Sequence, residues 1–169
     1  MKHKYKQCWV SGLETENRFS DLAARSGFQL IRRASSFEQM REKWDQEWLI
    51  GNSYERIEIK SKKKDSRHSK SLSDRIVIEL RGIKNSIGWL YGSATMFAFE
   101  NDNGFILVRQ SDLVNLVNKN IIGLNNPFLK MPSNIVENWR AYHRVSQPDE
   151  LCVYVDTKEI EEISLMKLL

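Results

Sequence analysis

The sequence predicts an α/β domain in which a central mixed β-sheet is flanked by helices. An amphipathic helical stretch over residues 14–26 opens the pattern, and alternating apolar and polar runs then meet at two turn sequences, Gly51-Asn52-Ser53 and Asn101-Asp102-Asn103-Gly104. A second helical pattern follows the later of these hairpins. The chain has 169 residues, 41% of them hydrophobic and 28% charged, with three prolines and eight glycines. That is enough for one domain with a core, too little for two ordinary ones, and outside the range of disordered or collagen-like chains. The longest apolar stretches, such as residues 96–99, stop far short of the roughly 20 residues of a membrane-spanning helix, so no segment is expected to cross a bilayer.

In the first helix Phe19, Leu22, Ala23 and then Phe28 recur at helical spacing, with Gly27 placed as a C-terminal cap. Residues 28–34 carry the β-branched and aromatic bias of a short strand, and Ser35-Ser36 followed by Glu38 resembles the start of a brief helical turn. Residues 43–50 and 54–62 alternate on either side of the first turn and read as a β-hairpin. Residues 63–73 hold almost no apolar side chain and are rich in Lys and Ser, so an exposed, mobile loop is expected there. Strand patterning resumes over 75–80, and 95–100 with 105–109 forms the second hairpin, giving one sheet of at least five strands. Gln110-Ser111-Asp112 precedes Leu113, Leu116 and Val117, a helix start with Ser111 as N-cap. A later helix over 132–144 and a final strand over 151–155 complete the reading. No repeat or Pro/Gly-rich linker divides the chain, which reads as a single domain over 1–169.

The charge balance is 26 Lys+Arg against 22 Asp+Glu, a net +4, with a pI near 9.1. This favours a polyanionic partner only weakly, and the placement of the charges matters more. The N-terminus is positive, but Cys8-Trp9-Val10 is followed by Ser11, Gly12 and Glu14 rather than by an apolar core, so secretion is not expected. Cys8 and Cys152 have neither metal-ligand spacing nor the look of a disulfide framework. They read as reduced thiols, with a cytoplasmic location expected. No glycine-rich phosphate loop, serine elbow or zinc-protease histidine pair occurs, which leaves kinase, triad-hydrolase and zinc-peptidase readings without residues.

In the second strand of the first hairpin Glu58 and Lys60 are two apart and leave one face, while Ile57 and Ile59 leave the other. Asp45 stands on the preceding strand, which the tight turn lays antiparallel beside Glu58 if the register allows. Two carboxylates suit a hard cation such as Mg²⁺, which keeps several waters and takes further ligands from a substrate phosphate. A lysine beside it can orient water and steady negative charge on phosphorus. The competing reading is a solvated strand face on which Glu and Lys only decorate the surface.

Asp45 followed by Glu58-Ile59-Lys60, on a hairpin after an N-terminal helix, resembles the PD-(D/E)xK nuclease superfamily, whose core has the restriction-endonuclease-like fold. The resemblance covers roughly residues 14–110, the motif-bearing core, and leaves 111–169 as a C-terminal extension without a motif. It implies that Asp45 and Glu58 bind Mg²⁺ or Mn²⁺, that the Ile59 carbonyl helps, and that the catalytic Lys60 positions or activates water. Many members add a helix glutamate, which Glu16 matches best and Glu14 next. The proline that the family has before the aspartate is replaced by Trp44. Behind the motif lies a basic cluster of Lys62, Lys63, Lys64, Arg67 and Lys70, with His68 among them, which either tracks a phosphate backbone or is a solvated loop. Glu79 reads as a structural acid near the site, with a further metal partner as the alternative, and Gly88-Trp89-Leu90-Tyr91-Gly92 reads as packing, with stacking on a base as the alternative.

The resemblance therefore implies a metal-dependent nuclease, with DNA ahead of RNA as its nucleic-acid partner. Without an attached recognition module, a structure-selective endonuclease of the Holliday-junction-resolvase or phage type, working as a homodimer, fits better than a site-specific restriction enzyme. The alternatives are a nucleic-acid-binding or protein-interaction module that keeps the nuclease fold without cleaving, and an unrelated α/β domain.

Overall fold

A computed structural model describes residues 2–63, 74–123, 138–144 and 147–169. In chain order its elements are α1 (Lys2–Arg25), β1 (Gln29–Arg33), α2 (Ser36–Arg41), β2 (Gln46–Ile50), β3 (Ser53–Lys60), β4 (Arg75–Arg81), β5 (Met96–Glu100), β6 (Phe105–Arg109), α3 (Gln110–Asn120), β7 (Ala141–Arg144), β8 (Gln147–Asp156), α4 (Thr157–Glu162) and β9 (Met166–Leu168). Short 3₁₀ turns lie at Ile83–Asn85 and Trp89–Tyr91. The molecule is thus a mixed α/β protein with a mixed sheet and helices packed on it, in line with the expected class.

Six strands form the main sheet in the order β1-β2-β3-β5-β6-β9, antiparallel throughout except for the parallel pair β3 and β5. A parallel pair needs a crossover, and here the connecting chain runs through β4. That strand was expected in the same sheet. It instead pairs with β8 in a second, three-stranded sheet of order β4-β8-β7, with Arg75 opposite Asp156 and Ile78 opposite Val153. An alternating pattern marks a strand but carries no record of its partner, and this partner lies at the far end of the chain.

Both faces of the main sheet are covered. On one, Phe19 and Ala23 of α1 pack against Trp48, Ile57, Ile59, Met96, Ala98, Phe105 and Leu107. On the other, Phe97, Phe99, Ile106 and Val108 meet Ile78, Leu80, Val153 and Val155 of the second sheet, Leu113 and Val117 of α3, and Trp44 and Trp89. Strand β5 is apolar on both sides for this reason. Met96 and Ala98 face α1, while Phe97 and Phe99 fill the space between the sheets, where each fully buried ring contributes about 1.5–3 kcal/mol.

Local signals hold where they were strongest. Gly27, at φ 84°, ends α1 in a Schellman motif: the Phe28 N–H donates to the Ala23 carbonyl and the Gly27 N–H to that of Ala24, both at 3.0 Å. Ser35 and Glu38 form a reciprocal capping box at α2. The first hairpin closes over Gly51-Asn52, with Ile50 opposite Ser53 and Gln46 opposite Ile57.

Other expectations are corrected. Helix α1 begins at Lys2, well before residue 14. Ser111 is not the N-cap of α3; Arg109 holds that position without a side-chain bond. Strand β6 runs straight into the helix there, and Gln110 anchors the bend by donating from Nε2 to the carbonyls of Leu90 and Gly92, both at 2.9 Å. Residues 138–144 form a turn and strand β7 rather than the end of a helix, because β7 pairs along β8; residues 132–137 lie outside the described residues. Of the expected loop over 63–73, only Lys63 is described, without regular structure. The expected final strand is present within the longer β8, and α4 and β9 are additions that local pattern did not reveal.

Candidate active site

Continuing the β2–β3 register by one residue sets Asp45 across from Glu58. The backbone ladder ends there: the Asp45 N–H donates to the Ile57 carbonyl at 2.9 Å, and the next β3 donor, the Ile59 N–H, is taken at 2.7 Å by Oδ2 of the Asp45 carboxylate. The chain leaves the sheet just before this point, with Lys43 at φ 61°. Trp44, standing where the resembled family has proline, is completely buried between the sheets and fixes the approach to Asp45. Because N–H and C=O of one strand residue face the same neighbour, the Ile59 carbonyl is turned to the same edge as Asp45.

Glu58 and Lys60 leave β3 on the face opposite Ile57 and Ile59, and that face is largely covered. Glu58 is 7% exposed. Its Oε1 accepts from the Lys60 Nζ, and the same ammonium lies 5.0 Å from the centroid of the Trp89 ring, a cation–π contact. Trp89 is itself wedged edge-on against Phe97, with centroids 5.0 Å apart. The glycines flanking it permit this approach, since a Cβ on Gly88 would stand 2.3 Å from the Glu79 carbonyl oxygen and one on Gly92 would stand 2.6 Å from that of Glu42.

The electrostatics follow from crowding acids into a poorly hydrated corner. Asp45 is pushed up to about 8, first by burial and then by the charge of Glu58, with Glu16 adding to it and Lys60 and the Ile59 N–H opposing. Lys60 is raised: burial works against its charge, but the carboxylates of Glu58 and Asp45, the bond to Glu58 and the more distant Glu79 together outweigh it. Glu16 is raised by burial, opposed by Arg33 and reinforced by Glu58.

Glu16 therefore stands near enough to sense the pair, whereas Glu14 is exposed. Its carboxylate is 3.5 Å from Arg33 Nη1. Among the described residues no three His, Cys, Asp or Glu side chains are grouped tightly enough to share an ion. What the corner offers is two carboxylates, a carbonyl edge and an ammonium.

A cleft of about 190 Å³ opens between the two sheets beside this corner, lined by Lys60, Lys62, Lys63, Arg75, Glu79 and Trp89 among others, but not by Asp45 or Glu58. Lys62, first of the expected phosphate contacts, is tied down: Nζ sits 2.8 Å from both Asp102 oxygens and its side chain is 10% exposed. Lys63 is exposed, with Nζ 3.3 Å from Ser61 Oγ. Lys64, Arg67, His68 and Lys70 lie outside the described residues.

Three contacts at the site were not foreseen from sequence. Trp89 was read as packing, and it does pack, but it also holds Lys60; the paired glycines were the available signal. Arg33 as the partner of Glu16, and Asp102 as the partner of Lys62, left none, since each contact joins separate elements.

Fold and site together define a mixed α/β domain whose main sheet carries a largely covered Asp–Glu–Lys corner beside an inter-sheet cleft. Compared with models of protein families, with curated proteins and with solved structures, the chain matches none. Among the described residues no helix is long and apolar enough to cross a membrane.

Proposed function

We propose that the protein is a metal-dependent nuclease that hydrolyses nucleic-acid phosphodiester bonds, built on a restriction-endonuclease-like core of the PD-(D/E)xK type. The observation that carries this reading is the Asp45 carboxylate bonded to the Ile59 N–H, directly across from a Glu58–Lys60 pair whose acid is buried. A decorative surface pair would be solvated. Here a buried acid stands beside a second acid at a cost in desolvation that a structural role does not require.

The donor set fits a hard divalent cation. It consists of oxygen ligands only; burial first and repulsion by Glu58 second raise Asp45, and a bound cation would offset that repulsion. Asp45, Glu58 and the Ile59 carbonyl would hold Mg²⁺ or Mn²⁺, with Glu16 tuning the surroundings, and the ion would polarise a phosphoryl oxygen and offset charge at the scissile phosphate. Lys60 is kept charged by the neighbouring acids and aimed by Glu58 and Trp89. Its remaining N–H donors can orient an attacking water and bond the oxygen on which negative charge develops. The preference for DNA over RNA, the structure-selective substrate and the homodimer rest on the family resemblance alone.

The test is cleavage of labelled single-stranded, duplex, flap and four-way-junction DNA by wild type and Lys60→Ala with Mg²⁺, Mn²⁺ or EDTA. Cutting should require the metal and fall by about 10²-fold or more in the variant. A pure wild type that binds these DNAs and cuts none is the non-cleaving module, and the nuclease reading fails.

A further inference from the structure

We infer that Arg33 is a positioning residue for the metal corner: from the edge strand β1 it clamps the Glu16 side chain of α1 in place beside Asp45 and Glu58. This rests on the metal-binding reading of that corner and adds to it a residue outside the motif.

Two neighbouring strands tie down one turn of α1. Arg33 lies directly across from Gln46 in the β1–β2 ladder, so both side chains leave the sheet on the α1 face. Gln46, the residue after Asp45, is completely buried. It donates from Nε2 to the Glu16 carbonyl at 3.3 Å and accepts from Ser20 Oγ at 3.0 Å and from Trp48 Nε1 at 2.9 Å. Phe19, in the same turn, sits edge-on against Trp48 and Phe105 with centroids 5.9 and 5.2 Å away. These contacts fix the backbone of the turn relative to Asp45 and leave the Glu16 side chain free to rotate. Among the described residues, the group bonded to its carboxylate is Arg33, whose Nη1 lies 3.5 Å from Oε2. The guanidinium is itself anchored through Nη2, which donates to Asn17 Oδ1 at 2.8 Å and lies 3.5 Å from Ser20 Oγ.

The planar fork suits this task. One nitrogen is held by the helix and the other is aimed at Glu16, a division that a single ammonium does not reproduce. Glu58 repels the Glu16 carboxylate, so without the clamp Glu16 turns outward to water. A hard cation such as Mg²⁺ keeps several of its waters, and an acid held beside the ligands binds those waters and orients the ligands. The two ways in which Arg33 can act on a cation have opposite signs. As a bare positive charge near Asp45, Glu58 and Glu16 it repels a divalent ion, and its removal would tighten binding. As the clamp on Glu16 it supports the ion, and its removal loosens binding.

The experiment measures Mn²⁺ binding to the full-length protein without nucleic acid, by the electron paramagnetic resonance signal of the free ion. Wild type is compared with Arg33→Met, Arg33→Lys, Glu16→Gln and the double variant Glu16→Gln/Arg33→Met, and the melting temperature of each is taken in EDTA. Arg33→Met should bind Mn²⁺ about tenfold less tightly, and Glu16→Gln should lose a similar factor. Arg33→Lys, which keeps the charge and loses the fork, should fall several-fold. Once Glu16 is glutamine, Arg33→Met should cost nothing more. If Arg33→Met fails to fold, Arg33→Lys carries the test. Equal or tighter Mn²⁺ binding by both Arg33 variants overturns the clamp, as does an Arg33→Met loss that persists undiminished in the Glu16→Gln background. A lowered melting temperature with Mn²⁺ affinity intact makes Arg33 a structural residue and overturns it too. Adding the labelled DNAs with Mn²⁺ separates the two readings. The expected losses in a protein that cuts none of them remove the nuclease and leave the clamp, whereas metal-dependent cutting with unchanged Mn²⁺ binding by the Arg33 variants removes the clamp and leaves the nuclease. Wild type that takes up no Mn²⁺ removes both.

Discussion

Replacing Lys60 by methionine removes the ammonium that lies against Glu58 while keeping an unbranched side chain over Trp89. Two limits bracket the cost. An exposed ion pair is worth about 0–1 kcal/mol, whereas stripping one partner from a buried pair costs about 3–5 kcal/mol because a charge is left without compensation. The Glu58 side chain is 9% exposed and that of Lys60 27%, which places the pair near the buried limit but not at it. Allowing for this partial hydration of Lys60, and for protonation of a carboxylate in the variant, the loss near neutral pH should be about 2–3 kcal/mol, or roughly 5–10 °C in Tm for a chain of this length. Urea unfolding followed by tryptophan fluorescence, in EDTA, reads it directly. Millimolar Mg²⁺ should restore the variant more than it stabilises the wild type. A loss under about 0.5 kcal/mol, or one indifferent to Mg²⁺, would make Glu58 and Lys60 a solvated surface pair and sink the argument for the site.

The same corner sets an unusual pH dependence in metal-free protein. Asp45 titrates near 8 when folded and near 3.9 when unfolded. Between these values the native state holds a proton that the unfolded chain has released, so stability falls as pH rises through the window, by at most about 1.4 kcal/mol per unit. Asp45→Asn lacks this proton, and a wild-type minus variant difference in urea stability that stays flat or rises with pH would refute the assignment. Gly88→Ala should destabilise by about 1–3 kcal/mol in equilibrium unfolding, since its Cβ would meet the Glu79 oxygen at 2.3 Å and the Leu80 carbonyl carbon at 2.4 Å. Gly12→Ala, inside α1 with nothing within 4 Å, should instead stabilise by about 0.5–1 kcal/mol.

Much of the site was legible because its geometry is set by short-range rules. A two-residue turn and strict alternation place Asp45 opposite Glu58 and separate Glu58 and Lys60 from Ile57 and Ile59, and the structure holds that register. Period two also states that Glu58 and Lys60 share a face, but not whether that face is wet. Burial there depends on Phe97, Phe99 and Trp89, which reach β3 through a parallel neighbour and a crossover. The basic run looked uniform in sequence, yet Lys62 and Lys63 differ completely in their surroundings. Asp102, the residue that separates them, sits in a hairpin turn where it reads as turn chemistry.

By itself the sequence determined the punctuation of the chain: the Gly27 cap, the Ser35–Glu38 capping box, both hairpins and the spacing of the Asp45, Glu58 and Lys60 side chains. Each of these is decided by dihedral preference and hydrogen bonds within a few residues. Only the tertiary structure decided that β4 leaves the main sheet for β8, that residues 141–144 extend as a strand, that β9 closes the sheet edge, and that the Glu58–Lys60 face lies beneath a second sheet beside a narrow cleft. These outcomes turn on which distant apolar surfaces bury one another, as with Ile78 against Val153, and solvent exclusion between segments so far apart leaves no periodic mark in either of them.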